Sequence, residues 1–151
     1  MFNLLFAAII SCSFLLVACE QEDADEQQMY NTSGNASGAQ QNPPVSTTAT
    51  GTLTGTYNAS TNVWNYSITW SGLSSAATIV ELRGPASVGV NGNLLTTLTI
   101  SAPGINGSAS GSVTLNESQE TSLLANQLYY TIVNTTYVTG EIRGQIIASS
   151  Q

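Results

Sequence analysis

The chain has 151 residues, two basic and nine acidic side chains, no histidine and a formal net charge of -7. From Val45 onward it contains no Asp, His, Lys, Cys or Met, which excludes a Ser-His-Asp triad, a His- or Cys-ligated zinc or copper site, a lysine Schiff base and an aspartate-rich calcium loop. Two arginines against nine acids also exclude an electrostatic footprint for nucleic acid, and no cofactor is expected.

Residues Phe2 to Ala18 form an apolar run that ends in Leu16-Val17-Ala18-Cys19 and gives way abruptly to acidic residues. The pattern reads as an export segment, and its last four residues resemble a bacterial lipobox. That resemblance implies residues 1–18 as a lipoprotein signal peptide, cleavage before Cys19, and acylation of the Cys19 thiol and of the new N-terminus. Each buried methylene of an acyl chain contributes roughly 0.8 kcal/mol, and two or more chains give a stable anchor. Cys19 is thus the expected lipidation site and the membrane an expected partner, in a bacterial cell envelope at the outer membrane or cell surface. The start Met1-Phe2-Asn3 lacks the usual basic residue, and an uncleaved signal anchor is the competing reading, because about 17 apolar residues approach the lower limit for a spanning helix. Cys12 lies inside the run and would leave with it, so no disulfide is expected in the mature chain.

Residues 19–46 read as a lipidated cysteine followed by an acidic, disordered tether. Glu20 to Glu26 holds five of the nine acids, a self-repelling block that reads either as a solubilising spacer or as a surface-export signal of lipoproteins. Gln27 to Ser46 is Gln, Asn, Ser, Gly and Ala closed by Pro43-Pro44, with no hydrophobic period. As a coil of about 26 residues the tether would reach roughly 25 to 30 Å.

Residues 47–151 change texture to short alternating runs rich in Thr, Val, Ile, Tyr and Trp. Strands are expected at Thr50 to Tyr57, Val63 to Trp70, Ala77 to Arg83, Leu94 to Ser101, Ser108 to Leu115, Leu128 to Thr135 and Gly140 to Ala148. The first two flank Asn58 to Asn62 as a hairpin, and the period of two puts Trp64, Tyr66, Ile68 and Trp70 on one face. One short helix is expected near 117–125, with Asn116 as N-cap and Glu117 and Glu120 in the first turn. The fold class is therefore all-β: a single antiparallel sandwich or barrel of about seven strands, of immunoglobulin-like or Greek-key type.

Two tetrads, Glu81-Leu82-Arg83-Gly84 and Glu141-Ile142-Arg143-Gly144, contain four of the six charged residues beyond residue 46. In a strand, residues two apart share a face. If the two strands are neighbours, Glu81, Arg83, Glu141 and Arg143 form crossed Glu–Arg pairs, a structural ion-pair cluster.

The run Asn126-Gln127-Leu128-Tyr129-Tyr130-Thr131-Ile132-Val133-Asn134-Thr135-Thr136-Tyr137 and the following Gly140-Glu141-Ile142-Arg143-Gly144-Gln145-Ile146 resemble the end of a CHRD domain, the module named after chordin. Supporting matches are Thr50-Gly51-Thr52-Leu53-Thr54-Gly55, Trp70-Ser71-Gly72-Leu73 and Arg83-Gly84-Pro85-Ala86. The resemblance implies an all-β fold and, by analogy with bacterial secreted members, an extracytoplasmic module of undefined role. It also implies histidines at positions that are here Glu81, Arg83 and Asn134, so any metal binding by those histidines is not carried over.

The function expected is a non-catalytic, lipid-anchored envelope or cell-surface module that binds an extracellular or periplasmic protein or glycan or serves structurally. The alternative is a carbohydrate-active or carbohydrate-binding protein. It would use Glu81 and Glu141 as a carboxylate pair, or an exposed row drawn from Tyr57, Trp64, Tyr66, Trp70, Tyr129, Tyr130 and Tyr137. The arginine two residues from each glutamate argues against the pair, since it would keep both carboxylates ionised and leave no acid.

Overall fold

A computed structural model describes residues 28–151. The expected signal peptide, Cys19 and the acidic block lie outside the described residues. No helix among the described residues is long and apolar enough to cross a membrane.

Ten strands form one antiparallel sheet: β1 Met29–Ser37, β2 Thr50–Asn58, β3 Val63–Ser71, β4 Ala77–Arg83, β5 Leu94–Leu98, β6 Ile100–Ala102, β7 Gly107–Thr114, β8 Tyr129–Asn134, β9 Ile142–Gln145 and β10 Ile147–Ser150, with helix α1 Glu117–Leu124 between β7 and β8. The order across the sheet is β5-β4-β8-β9-β1-β2-β3-β7-β6, with β10 continuing β9 alongside β1. The two ends of this path, β5 and β6, are successive pieces of one segment interrupted at Thr99. The sheet therefore nearly closes into a barrel, which leaves little free edge for pairing with another chain. At the seam the Tyr66 hydroxyl accepts from the Thr99 amide at 2.9 Å, and the Thr99 carbonyl accepts from Ser110 at 3.1 Å.

The expected sandwich of about seven strands is corrected to this barrel of ten, for three identifiable reasons. The Leu94–Ser101 strand divides at Thr99, where it changes partner from β4 to β7. The Gly140–Ala148 strand divides at Ile146, which is fully buried and whose amide donates to Leu128 rather than to β1. The third reason is β1, which lies within the segment expected to be a disordered tether. The part of that tether from residue 28 to residue 46 is ordered, and β1 is central, paired along its whole length with β2.

Alternation fills the interior. In β3, Trp64, Tyr66, Ile68 and Trp70 are buried while Asn65, Ser67, Thr69 and Ser71 are exposed. Leu53 and Tyr57 from β2, Val80 and Leu82 from β4, Tyr130 and Ile132 from β8 and Ile142 from β9 join them in one core. β1 supplies smaller groups: Ala36, and Thr32, whose hydroxyl accepts from the Trp64 indole at 3.0 Å. A buried indole N–H without such a partner would cost about 1–3 kcal/mol, so β1 completes the core chemically as well as sterically. Asn116 and Gln119 form a reciprocal capping box at the start of α1, which delivers Leu123 into the same core.

Candidate functional site

The strand order decides how the two tetrads meet. β8 lies between β4 and β9, so Glu81 and Arg143 both register against Thr131, on opposite sides of it. Likewise Arg83 and Gln145 both register against Tyr129. These six side chains share the outer face of the β4-β8-β9 sheet, but the crossed Glu–Arg pairs do not form. The single ion pair among the described residues runs within β4, from Arg83 Nε to Glu81 Oε2 at 2.6 Å. A whole intervening strand, spacing β4 and β9 about 10 Å apart, is the physical reason.

Glu141 stands at one end of β9 and is fully buried. Its carboxylate accepts from the Thr47 hydroxyl at 2.7 Å, the Ser74 amide at 2.9 Å, the Ser74 hydroxyl at 2.8 Å and the Asn134 amide group. These donors come from the segment entering β2, the β3–β4 connection and the end of β8, so one side chain ties three separate stretches of chain together. Burial pushes the Glu141 carboxyl upward, but the hydrogen bonds from Thr47, Ser74 and Asn134 outweigh it and hold the group below the ordinary glutamate value of 4.5. Asn134 also accepts from the amides of Thr136 and Tyr137 at 3.1 and 2.8 Å, which shapes the turn back into β9.

Arg143 is 1% exposed and has no carboxylate partner among the described residues. Its guanidinium lies 3.5 Å from the centre of the Tyr129 ring, a cation–π contact. Nη2 makes two long hydrogen bonds, to the Ser87 carbonyl at 3.3 Å and to Gln145 Oε1 at 3.4 Å. Nη1 is buried without a partner. Burial accordingly lowers the pKa of this guanidinium, although an arginine stays charged.

Two connections roof this layer. The β1–β2 connection places Gln41 so that its amide donates to the Thr131 hydroxyl at 2.7 Å. The β4–β5 connection places Gly92, whose amide donates to the Tyr129 hydroxyl at 3.0 Å and whose carbonyl accepts from Arg83 Nη1 at 3.1 Å. Asn42 and Asn91 lace the two together, Asn42 donating to Gly89 at 2.9 Å and Asn91 donating to Asn42 at 2.8 Å. Between them and the β8–β9 turn opens a cleft of about 360 Å³, lined among others by Arg83, Asn91, Tyr129, Thr131 and Val138. The β1–β2 side of this cleft was hidden from sequence reading, because Gln41 and Asn42 fall in a polar stretch without periodicity.

The carboxylate pair of the carbohydrate-active alternative is not assembled. Glu141 is closed off by its donors and Glu81 is bonded to Arg83. The exposed aromatic row is also corrected: Tyr57, Trp64, Tyr66, Trp70, Tyr129 and Tyr130 are all buried, at 5% exposure or less. Five of these rings fill the small barrel, and Tyr129, on the outer face, is covered by Arg143 and the β4–β5 connection. No group of His, Cys, Asp and Glu that could hold a metal ion occurs among the described residues.

A family model described as CHRD domain matches residues 32–146. No curated protein and no solved structure matches the chain. The matched span begins inside β1 and ends at Ile146, so it takes in the strand that the composition concealed.

Proposed function

Because the chain belongs to the CHRD domain family, which suggests a non-enzymatic module, we propose that it is a lipid-anchored binding or structural domain of a bacterial cell envelope. Cys19, at the end of the lipobox-like Leu16-Val17-Ala18-Cys19, carries the anchor. The acidic stretch Glu20 to Glu26 separates the barrel from the membrane surface, and the barrel meets an extracellular or periplasmic protein or glycan. Nucleic acid is disfavoured as a partner by the net charge of -2 over residues 28–151.

The observation that carries the non-catalytic reading is the condition of Glu141. A general acid or base must exchange a proton with a substrate, whereas this carboxylate is fully buried and engaged by Thr47, Ser74 and Asn134. Its chemistry goes into holding the barrel end together.

The anchor is tested by labelling cells with a radioactive fatty acid and fractionating them. Wild-type chain should carry label and sediment with membranes, while Cys19→Ala should carry none and lose its membrane association. Label persisting in Cys19→Ala would overturn the assignment. Replacing Glu22, Asp23, Asp25 and Glu26 with Ala then asks where the barrel is displayed. Reduced protease accessibility on whole cells is expected if the block is an export signal, and unchanged accessibility would leave it a spacer.

A further inference from the structure

Arg143 poses a physical problem that the fold does not solve. A guanidinium removed from water needs a carboxylate or a full set of acceptors, and this one has a tyrosine face, two long hydrogen bonds and a buried Nη1 with no partner. The nearest pair of charges on the same outer face, Glu81 and Arg83, neutralises itself. Glu141, two residues along the chain, is held by neutral donors and makes no ion pair with Arg143, so this guanidinium alone among the four tetrad charges is left without an adequate set of partners.

The cleft opens beside Tyr129, the residue whose ring Arg143 contacts. Its side chain thus belongs both to the cleft wall and to the contact with Arg143. Arg83 lines the cleft and is 31% exposed. A guanidinium carries five N–H donors; two of those of Arg83 are engaged, by Glu81 and by the Gly92 carbonyl, so the others are available to a ligand. Gln41, Asn42, Asn91, Thr131 and Thr139 add amide and hydroxyl groups, and Val138, 76% exposed, supplies an apolar lip. A volume of about 360 Å³ falls within the range typical of small-molecule sites.

We propose that this cleft is a binding site for an organic carboxylate, with Arg83 as the contact residue and Arg143 as the buried charge that favours an anion behind Tyr129. Planar carboxylates suit the site because a guanidinium edge receives both of their oxygens at once. The surrounding amides and hydroxyls suit a ligand that carries hydroxyl groups as well. The proposal deepens the reading of the barrel as a binding module and is independent of the lipid anchor.

The chain has only two arginines and two tryptophans, so side-chain NMR reads the site and the core separately in the full-length, detergent-solubilised protein. Galacturonate and a dipeptide with a free C-terminus are the acidic probes. Galacturonate methyl ester and the amidated dipeptide are their neutral counterparts, and sodium chloride and inorganic phosphate are the ionic controls. At least one acid should shift the Arg83 and Arg143 Nε–H signals saturably, its neutral counterpart should not, and which acid does so separates a free sugar acid from a peptide chain end. Arg83→Gln should weaken binding at least tenfold and Arg143→Met several-fold, with the Trp64 and Trp70 indole signals unmoved; Arg83→Lys should retain part of the affinity. Equal shifts from neutral probes, shifts reproduced by chloride, phosphate binding as tightly as either acid, or unchanged affinity in both Arg83→Gln and Arg143→Met would overturn the site. Such a failure would leave the envelope-module reading to its own labelling and accessibility experiments.

Discussion

Glu81-Leu82-Arg83-Gly84 and Glu141-Ile142-Arg143-Gly144 differ by one methyl position in sequence, yet the fold uses them in opposite ways. In the first, on β4, the charges find each other, stay partly exposed and leave only Leu82 in the core. In the second, Glu141 and Arg143 are both buried and turn away from each other, Glu141 to neutral donors at the barrel end and Arg143 to the Tyr129 ring. The difference lies in what covers them. Both strands lie between two others, but Glu141 is enclosed by Thr47, Ser74 and Asn134 and Arg143 by Tyr129 and Ser87, whereas the roof meets the β4 pair through the bond from Arg83 to Gly92. A charge pattern thus fixes which side chains share a face, while the neighbouring strands and loops decide whether they pair.

The largest effect that could break this comparison is expected at Glu141. Glu141→Ala leaves the Ser74 amide, the Thr47 hydroxyl and the Asn134 amide group without their acceptor, and should cost about 3 kcal/mol or more in urea unfolding. The same residue sets a pH dependence. Its folded pKa lies below 4.5, so its contribution is fully present above the unfolded value and is lost as pH falls through the folded one. The stability curves of wild type and Glu141→Gln should therefore converge on acidification below about pH 4.5.

Next in size is Gly34→Ala in β1. A Cβ there would collide with the Gln145 carbonyl, and a loss of about 1–3 kcal/mol is expected from overpacking. Wild-type stability would show that β1 is dispensable to the barrel. Arg143→Met should move the other way: it keeps a long side chain against Tyr129 but removes a desolvated charge, so urea midpoints should be unchanged or rise by up to about 1 kcal/mol equivalent. The smallest effect belongs to Glu81→Gln. Its partly exposed pair with Arg83 is worth at most about 1 kcal/mol and should fade in high salt.

Much of the barrel was legible in the sequence where side chains are large and alternate. The β2–β3 hairpin, the inward face of β3, the whole of β4 and the capped helix follow from residues such as Trp64, Trp70, Leu82 and Asn116. β1 was not legible because, after Tyr30, its inward positions are Thr32, Gly34 and Ala36, small groups that make room for Trp64 of β3 and Tyr130 of β8, each one strand beyond the partners of β1. Gly144 is small for the same reason, since a Cβ there would stand 2.6 Å from the Tyr130 ring. No hydrophobic period survives when strands farther round the barrel supply the bulk. The pairing of charges was equally hidden, because spacing along a strand carries no information about which strand intervenes.

The division of labour between the tetrads is tested most directly by unfolding Glu81→Gln and Glu141→Gln side by side in urea at pH 7. Both substitutions remove one carboxylate and keep its shape, so the comparison isolates environment. Glu141→Gln should be less stable than Glu81→Gln by at least about 2 kcal/mol. Equal losses, or a greater loss in Glu81→Gln, would contradict the assignment of Glu141 as the side chain that ties the barrel end together.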